Sequence, residues 1–282
     1  MMVGHTLLVK NFRALVKSER LAHGYLFFGS EGVGKRLFAL SLANFLENGE
    51  FDFDEDKQLI FNDLILIEPN ENKTIGIDAV RELKNFLSQR PNKSLRRTAI
   101  IDEAEFLTTE AQNALLKITE EPPESSLLIL IAREPEIFAA TLGSRLQRIY
   151  FSVLSLKDVE EGLKNRIMNY ELGIVKKAAE DSRGSFGLAV KMLQDEKFQA
   201  TSKLAEKFLK ISFAERKDFL KSLLEPEDFD ILNFLDAVIL TLASKQKVDY
   251  NLWHRTLKLR QDISNFPLNP KLQLTSLLAN GQ

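Results

Sequence analysis

Residues 26–36, LFFGSEGVGKR, leave this chain few folds to choose from. An apolar run meets Gly29, Gly32 and Gly34 in quick succession, and Lys35 then opens a stretch with helical patterning, 35–47. A strand that turns through glycines directly into a helix begins a strand–helix–strand unit, whose next strand lies parallel to the first. The first half continues in the same manner. Residues 25–28, 63–68 (DLILIE), 98–101 (TAII), 127–132 (LLILIA) and 147–151 (QRIYF) read as strands. Residues 77–89 and 109–120 read as helices, the second stopped by Pro122-Pro123. Several of these strands are apolar throughout instead of alternating, which predicts a parallel sheet covered on both faces.

Strand signals fade from about residue 154. Helical periodicity covers 156–180, 185–194, 197–210, 214–224, 229–244 and 251–265, with a turn at SRGS (182–185). Residues 229–242 (FDILNFLDAVILTL) are apolar on most sides of a helix, so burial against neighbouring helices or against partners is required. The acidic segment 49–63 is expected to be a surface loop. The organisation is one α/β domain followed by two small helical parts.

Composition removes several classes of chemistry. The 282 residues include no cysteine, which excludes disulfides and thiol catalysis, and a structural zinc site is not expected. The 3 histidines (His5, His23, His254) are scattered, so no histidine metal cluster is expected. The net charge of −2 gives no general pull towards nucleic acid. Apolar runs stay short of the ~20 residues of a membrane helix, and the N-terminus lacks a signal core, so a cytoplasmic protein is expected.

Three local patterns carry chemistry. The loop matches G-x-x-x-x-G-K-[ST] except at its last position, where Arg36 replaces the hydroxyl that would meet magnesium. Its amides can cradle phosphate at a helix N-terminus, with Lys35 reaching the terminal phosphates; a glycine-rich turn without ligand is the other reading. Asp102 and Glu103 end an apolar strand, as do the magnesium-supporting and water-polarising acids of nucleotide hydrolases, or as solvated charges do. Residues 89–97 (QRPNKSLRR) group Arg90, Lys93, Arg96 and Arg97, as a nucleic-acid contact or as a solvated loop.

A longer succession is more specific. DEAE (102–105) is followed by Gln112-Asn113-Ala114-Leu115-Leu116-Lys117, by Glu120-Glu121-Pro122-Pro123, by an apolar strand and by Gly143-Ser144-Arg145. Over residues 5–195 this order resembles the clamp-loader branch of the AAA+ ATPases, which open ring-shaped sliding clamps and place them on primed DNA. Ser144-Arg145-Leu146 is similar to the family's Ser-Arg-Cys motif, and NPKLQLTSLL (269–278) to the end of a bacterial loader subunit. The resemblance implies an AAA+ P-loop α/β domain (1–153), a helical lid domain (154–208) and a helical oligomerisation collar (209–282). It implies a degenerate nucleotide site made by Gly29, Gly32, Gly34, Lys35, Asp102 and Glu103, with ATP as the cofactor in question and the family's zinc module absent. The implied partners are other clamp-loader subunits and, through the complex, the sliding clamp and primed DNA, with no membrane.

Three departures from the active members stand out: Arg36 after the loop lysine, Gly187 in the place of a phosphate-contacting arginine, and Ala132-Arg133 where threonine or asparagine is usual. They imply a subunit that does not hydrolyse ATP and donates Arg145 as an arginine finger to a neighbour's ATP site. The alternatives are an ATP-hydrolysing motor subunit or another AAA+ ATPase, and, for Arg145, a salt bridge to Glu120 or Glu121 of its own chain.

Overall fold

The computed structural model describes residues 2–53, 60–167, 170–225, 229–243, 249–265 and 274. Residues 54–59 of the acidic segment and all of 269–278 except Leu274 lie outside them. In chain order the elements of the first half are α1 (Thr6–Lys17), β1 (Gly24–Phe28), α2 (Lys35–Asn48), β2 (Leu64–Ile67), α3 (Ile77–Leu87), β3 (Arg97–Ile101), α4 (Thr109–Glu120), β4 (Ser126–Ala132), α5 (Ala140–Gly143) and β5 (Gln147–Tyr150). Helices follow: α6 (Leu156–Arg166), α7 (Leu172–Asp181), α8 (Phe186–Gln194), α9 (Glu196–Lys210), α10 (Phe213–Leu224), α11 (Ile231–Ala243) and α12 (Tyr250–Asn265). The stretch 156–180, expected to be helical throughout, is two helices, because Ile167 leaves helical geometry at the end of α6.

The five strands form one parallel sheet in the order β2-β3-β4-β1-β5. Every residue of β4 is buried, as continuous apolarity requires. Its alternate residues serve two cores: Leu128, Leu130 and Ala132 pack with α3 and α4, and Leu127, Ile129 and Ile131 with α1 and α2. In a parallel sheet all the strands end at the same edge, so the loops after β1, β3 and β4 converge there.

The acidic segment is not simply a surface loop. Phe51 and Phe53 are buried in the α1–α2 core, and the Asn44 side chain donates to the carbonyls of Glu50 and Asp52 at 3.0 and 2.7 Å. Phenylalanine alternating with acid in EFDF (50–53) lets the chain turn its rings inward and keep Glu50 and Asp52 outside.

The basic run 89–97 is also drawn into the fold. Arg96 donates to the carbonyls of Leu21 and Ala22, and Arg97 lies against Asp63 at 3.7 Å with its guanidinium over the Phe86 ring. Two of the four cations proposed for nucleic acid therefore hold the domain together.

The chain divides into two compact units, Met1–Leu188 and Ala189–Gln282. In the second unit, Ala205 and Phe208 of α9 share a core with Phe234, Leu235 and Val238 of α11 and Leu252 and Leu259 of α12. None of the residues of α11 is exposed. Neighbouring helices of its own unit bury Phe234, Leu235, Ala237, Val238 and Leu242, while Leu232, Ile239 and Leu240 stay half-buried. No helix among the described residues is long and apolar enough to cross a membrane.

Asp63 ties the basic segment to β2. Its carboxylate accepts from the backbone N–H groups of Asn92, Lys93 and Ser94 at 2.7–2.9 Å. Burial alone would raise its pKa, but these three bonds and Arg97 outweigh burial and hold it below the ordinary value. A depressed folded-state pKa stabilises above the unfolded value of about 3.9, and this stabilisation is lost as pH falls through the folded pKa. Asp63→Ala, which strands Arg97 and three amides, should cost roughly 3 kcal/mol or more at neutral pH. Urea denaturation across pH should show this gap between wild type and variant closing at strongly acid pH.

Candidate functional site

Strand β1 delivers the chain to the edge where the loop begins, and α2 starts at Lys35. Gly29, Gly32 and Gly34 all have positive φ (135°, 73° and 99°), which glycine alone adopts at little cost. Lys35 is buried and folds back over its own loop, its Nζ donating to the carbonyls of Gly29 and Ser30 at 2.6 and 2.7 Å. Burial lowers its pKa against the opposing pull of Glu105, Asp102 and Glu31.

The loop's other carbonyls are also engaged by this chain. Ser185 Oγ donates to the Glu31 carbonyl at 3.0 Å, the Gly187 N–H to Gly32 at 2.9 Å, and His5 Nε2 to Val33 at 2.8 Å. Contact is close enough that a Cβ on Gly32 would meet Ser185 Oγ at 2.2 Å, and one on Gly187 would meet Gly32 Cα at 3.1 Å. The position where active relatives are expected to carry arginine is therefore backbone packed on the loop.

Arg36 extends along the sheet edge. Its Nη1 pairs with Glu68, just past β2, and with Asp102 Oδ2 at 3.1 Å, just past β3. Burial works to lower its pKa, but Glu68 and Asp102 outweigh it and raise the value further. The other Asp102 oxygen accepts from the Glu103 N–H at 2.9 Å. Glu103 itself is exposed, in left-handed backbone with φ 45°. These residues do not fit magnesium: the loop has no hydroxyl at the ligand position, and both oxygens of Asp102 are already committed.

A cavity of about 320 Å³ opens beside the loop, within the size range of small-molecule sites. Gly29 is not among its lining residues, whereas Gly32, Gly34, Lys35, Asp102 and Glu103 are. Two further cations stand at the cavity: Arg133, which the sequence marked only as a departure from active members, and Arg166, which sequence reasoning missed. Arg133, past β4, bridges Glu31 at 2.8 Å and Glu105 at 3.5 Å. Arg166, at the end of α6, lines the cavity with no ion-pair partner among the described residues. Glu105 Oε2 is buried without a hydrogen-bond partner among them, and burial raises that carboxyl's pKa. Only the basic residue after LLILIA, which the sequence shows, pointed towards Arg133.

Arg145 lies elsewhere. It precedes β5, whose four residues at ~3.3 Å each separate its ends by roughly 13 Å, and the loop is at the far end of the parallel sheet. Its Nη2 donates to Glu120 Oε1 at 2.7 Å and its Nη1 to the Thr141 carbonyl at 2.5 Å. The own-chain salt bridge expected as the alternative therefore forms, with Glu120 and not Glu121 as its partner. The guanidinium keeps about a third of its side chain exposed (33%).

The profile of the family described as "DNA polymerase III, delta subunit" matches residues 4–155. The chain belongs to that family. It is thereby placed in the clamp-loader branch of the AAA+ proteins. Among similar proteins, DNA polymerase III subunit tau of Bacillus subtilis is 30% identical over 179 residues, covering 60% of this chain and 31% of that protein. DNA polymerase III subunit delta' of the same organism is 31% identical over 157 residues, covering 52% and 47%. The chain thus spans less than half the length of either relative. Among solved structures, a DNA polymerase III gamma subunit-related protein of Thermotoga maritima superposes with TM-score 0.58 at 21% identity, covering 95% of this chain and 97% of that one. The RuvB Holliday junction branch migration motor of that organism gives 0.52 at 14%, covering 98% and 82%. Both confirm the AAA+ fold.

In this family member the loop depends on close backbone approach at Gly32. Gly32→Ala should destabilise the chain by roughly 1–3 kcal/mol, from positive φ and the clash with Ser185 Oγ together. Adding Ser185→Ala should recover only the part due to the clash, as read from the denaturation midpoints of the single and double variants.

Proposed function

We propose that this chain is the delta-prime-type stator of a bacterial clamp loader: a subunit that hydrolyses no ATP and presents Arg145 to the ATP site of a neighbouring subunit. The observation that carries the reading is the Arg36–Asp102 ion pair. It commits the acid that a hydrolase would turn towards magnesium, in a loop that has already lost its metal-binding hydroxyl. Gly187 adds to this, since it offers the loop a backbone N–H and no guanidinium.

The place of Arg145 supports the second half of the proposal. Opposite its own loop across the sheet, it serves a phosphate only if another subunit supplies one. A forked, permanently charged donor suits the charge that builds on a γ-phosphate in the transition state. Glu120 then holds the arginine in readiness until a stronger anion arrives. In this reading residues 154–208 act as the lid and 209–282 as the collar through which a cytoplasmic assembly forms, with the sliding clamp and primed DNA engaged by the complex. The similarity to tau favours a second reading, an ATP-hydrolysing motor subunit.

Two measurements separate these readings. The purified chain should show no ATP turnover above a Lys35→Ala control; a rate near ~1 per second that Lys35→Ala abolishes would establish the motor. In the loader reassembled with subunits from the same cell, Arg145→Ala should leave assembly intact and remove only the part of clamp-stimulated ATPase owed to one site. Finger removal costs roughly 10³–10⁵ in rate at the site it serves. Arg145→Lys should rescue little. Unchanged ATPase and clamp loading would make Arg145 a purely structural partner of Glu120.

A further inference from the structure

The misfit between this site and magnesium has a positive side. We propose that the loop cavity binds a di- or triphosphate group, free or carried by a nucleoside, without any divalent ion, the Arg36 guanidinium standing as a tethered cation in the metal's place. The inference does not rest on the role of Arg145.

The placing of the cations around the cavity supports it. Of the four acids that line it, Glu31 and Glu105 are bridged by Arg133, Asp102 is held by Arg36, and Glu103 is exposed to solvent. Two cations remain uncommitted to any acid: Lys35, which rests on carbonyls of its own loop, and Arg166, which has no ion-pair partner among the described residues. Lys35 needs only side-chain rotation to exchange Gly29 and Ser30 for phosphate oxygens. Arg166 approaches from α6 and can supply the cation that Gly187 does not. The glycine loop adds backbone N–H groups and the positive end of α2.

Arg36 differs from magnesium in ways that can be measured. Guanidinium is permanently charged and has five N–H donors, of which its contacts with Glu68 and Asp102 engage Nη1. The remaining donors can face phosphate while Nη1 keeps its contacts with both acids. Magnesium asks for about six oxygen ligands in near-ideal octahedral geometry. To reach Asp102 it must first displace the arginine and then sit beside a second positive charge. Added magnesium therefore competes with the site instead of completing it.

The test is calorimetric titration of the purified chain with ADP, ATP and tripolyphosphate, each in EDTA and in excess magnesium. Saturable binding is expected in EDTA, no weaker than in magnesium, with Lys35→Ala and Arg36→Ser each weakening it about tenfold or more. Arg36→Lys should lose less, and melting curves should show that each variant is folded. Binding by tripolyphosphate as tight as by ATP assigns the site to phosphate alone, and tighter binding by the nucleotides assigns it to the nucleoside phosphate. The proposal is overturned if none of the three binds in EDTA at millimolar concentration, or if magnesium tightens binding tenfold. It is equally overturned if folded Arg36→Ser binds in EDTA as wild type does.

Discussion

Everything at the loop edge depends on Phe38, one turn into α2. Its ring meets Phe12 of α1, Phe27 of β1, Phe51 of the acidic segment and Phe151 just past β5, at centroid distances of 5.2–5.6 Å, all edge to face. Each such pair contributes about 0.5–1.5 kcal/mol beyond the burial of area. A loop containing three glycines has little stiffness of its own and loses much entropy on ordering. The aromatic wedge fixes the start of α2 against the ends of two neighbouring strands, and so sets where the loop's amides and Lys35 must lie. His5 extends the same cluster, edge-on to Phe151, while it bonds the loop at Val33.

The charges above this wedge form a chain of short-range pairs: Glu68 and Asp102 on Arg36, Glu31 and Glu105 on Arg133. Each pair has an arginine 38–49% exposed as one partner, so each adds little to stability. Their effect lies in occupancy. A carboxylate that already accepts from guanidinium and backbone has no cheap route to a metal, whereas the same carboxylate beside a serine would have one. The side chain at position 36 thus places a guanidinium against Asp102, where a serine would leave that carboxylate without this partner.

Much of this was legible in the sequence because it is local. Strand β1, helix α2 and helix α4 lie within a residue or so of where period and flanking glycine or proline place them, and the loop and Asp102-Glu103 meet at one edge as their strand ends require. What stayed hidden depends on pairs far apart in the chain. The order β2-β3-β4-β1-β5 follows from registers between strands with no shared pattern. Arg96 is claimed by carbonyls at 21 and 22, and Arg97 by Asp63, so a run that reads as a basic patch is partly internal. Arg166 sits in an ordinary solvated helical pattern, and nothing near it in sequence marks it. Glu120 and Glu121 were indistinguishable as partners for Arg145 until the end of α4 showed which of them faces it.

The parallel sheet gives the molecule two unlike ends. One carries the glycine loop and the other carries Arg145, so any contact that brings the arginine to a second subunit's loop runs head to tail. Contacts of that kind lack a twofold axis, and they either close as rings or continue as open spirals. A subunit able to give and to receive can stand anywhere in such a row. In the stator reading, a subunit that gives at one end and has replaced the receiving chemistry at the other takes a unique position, and a row containing it has a defined polarity and a place to begin counting.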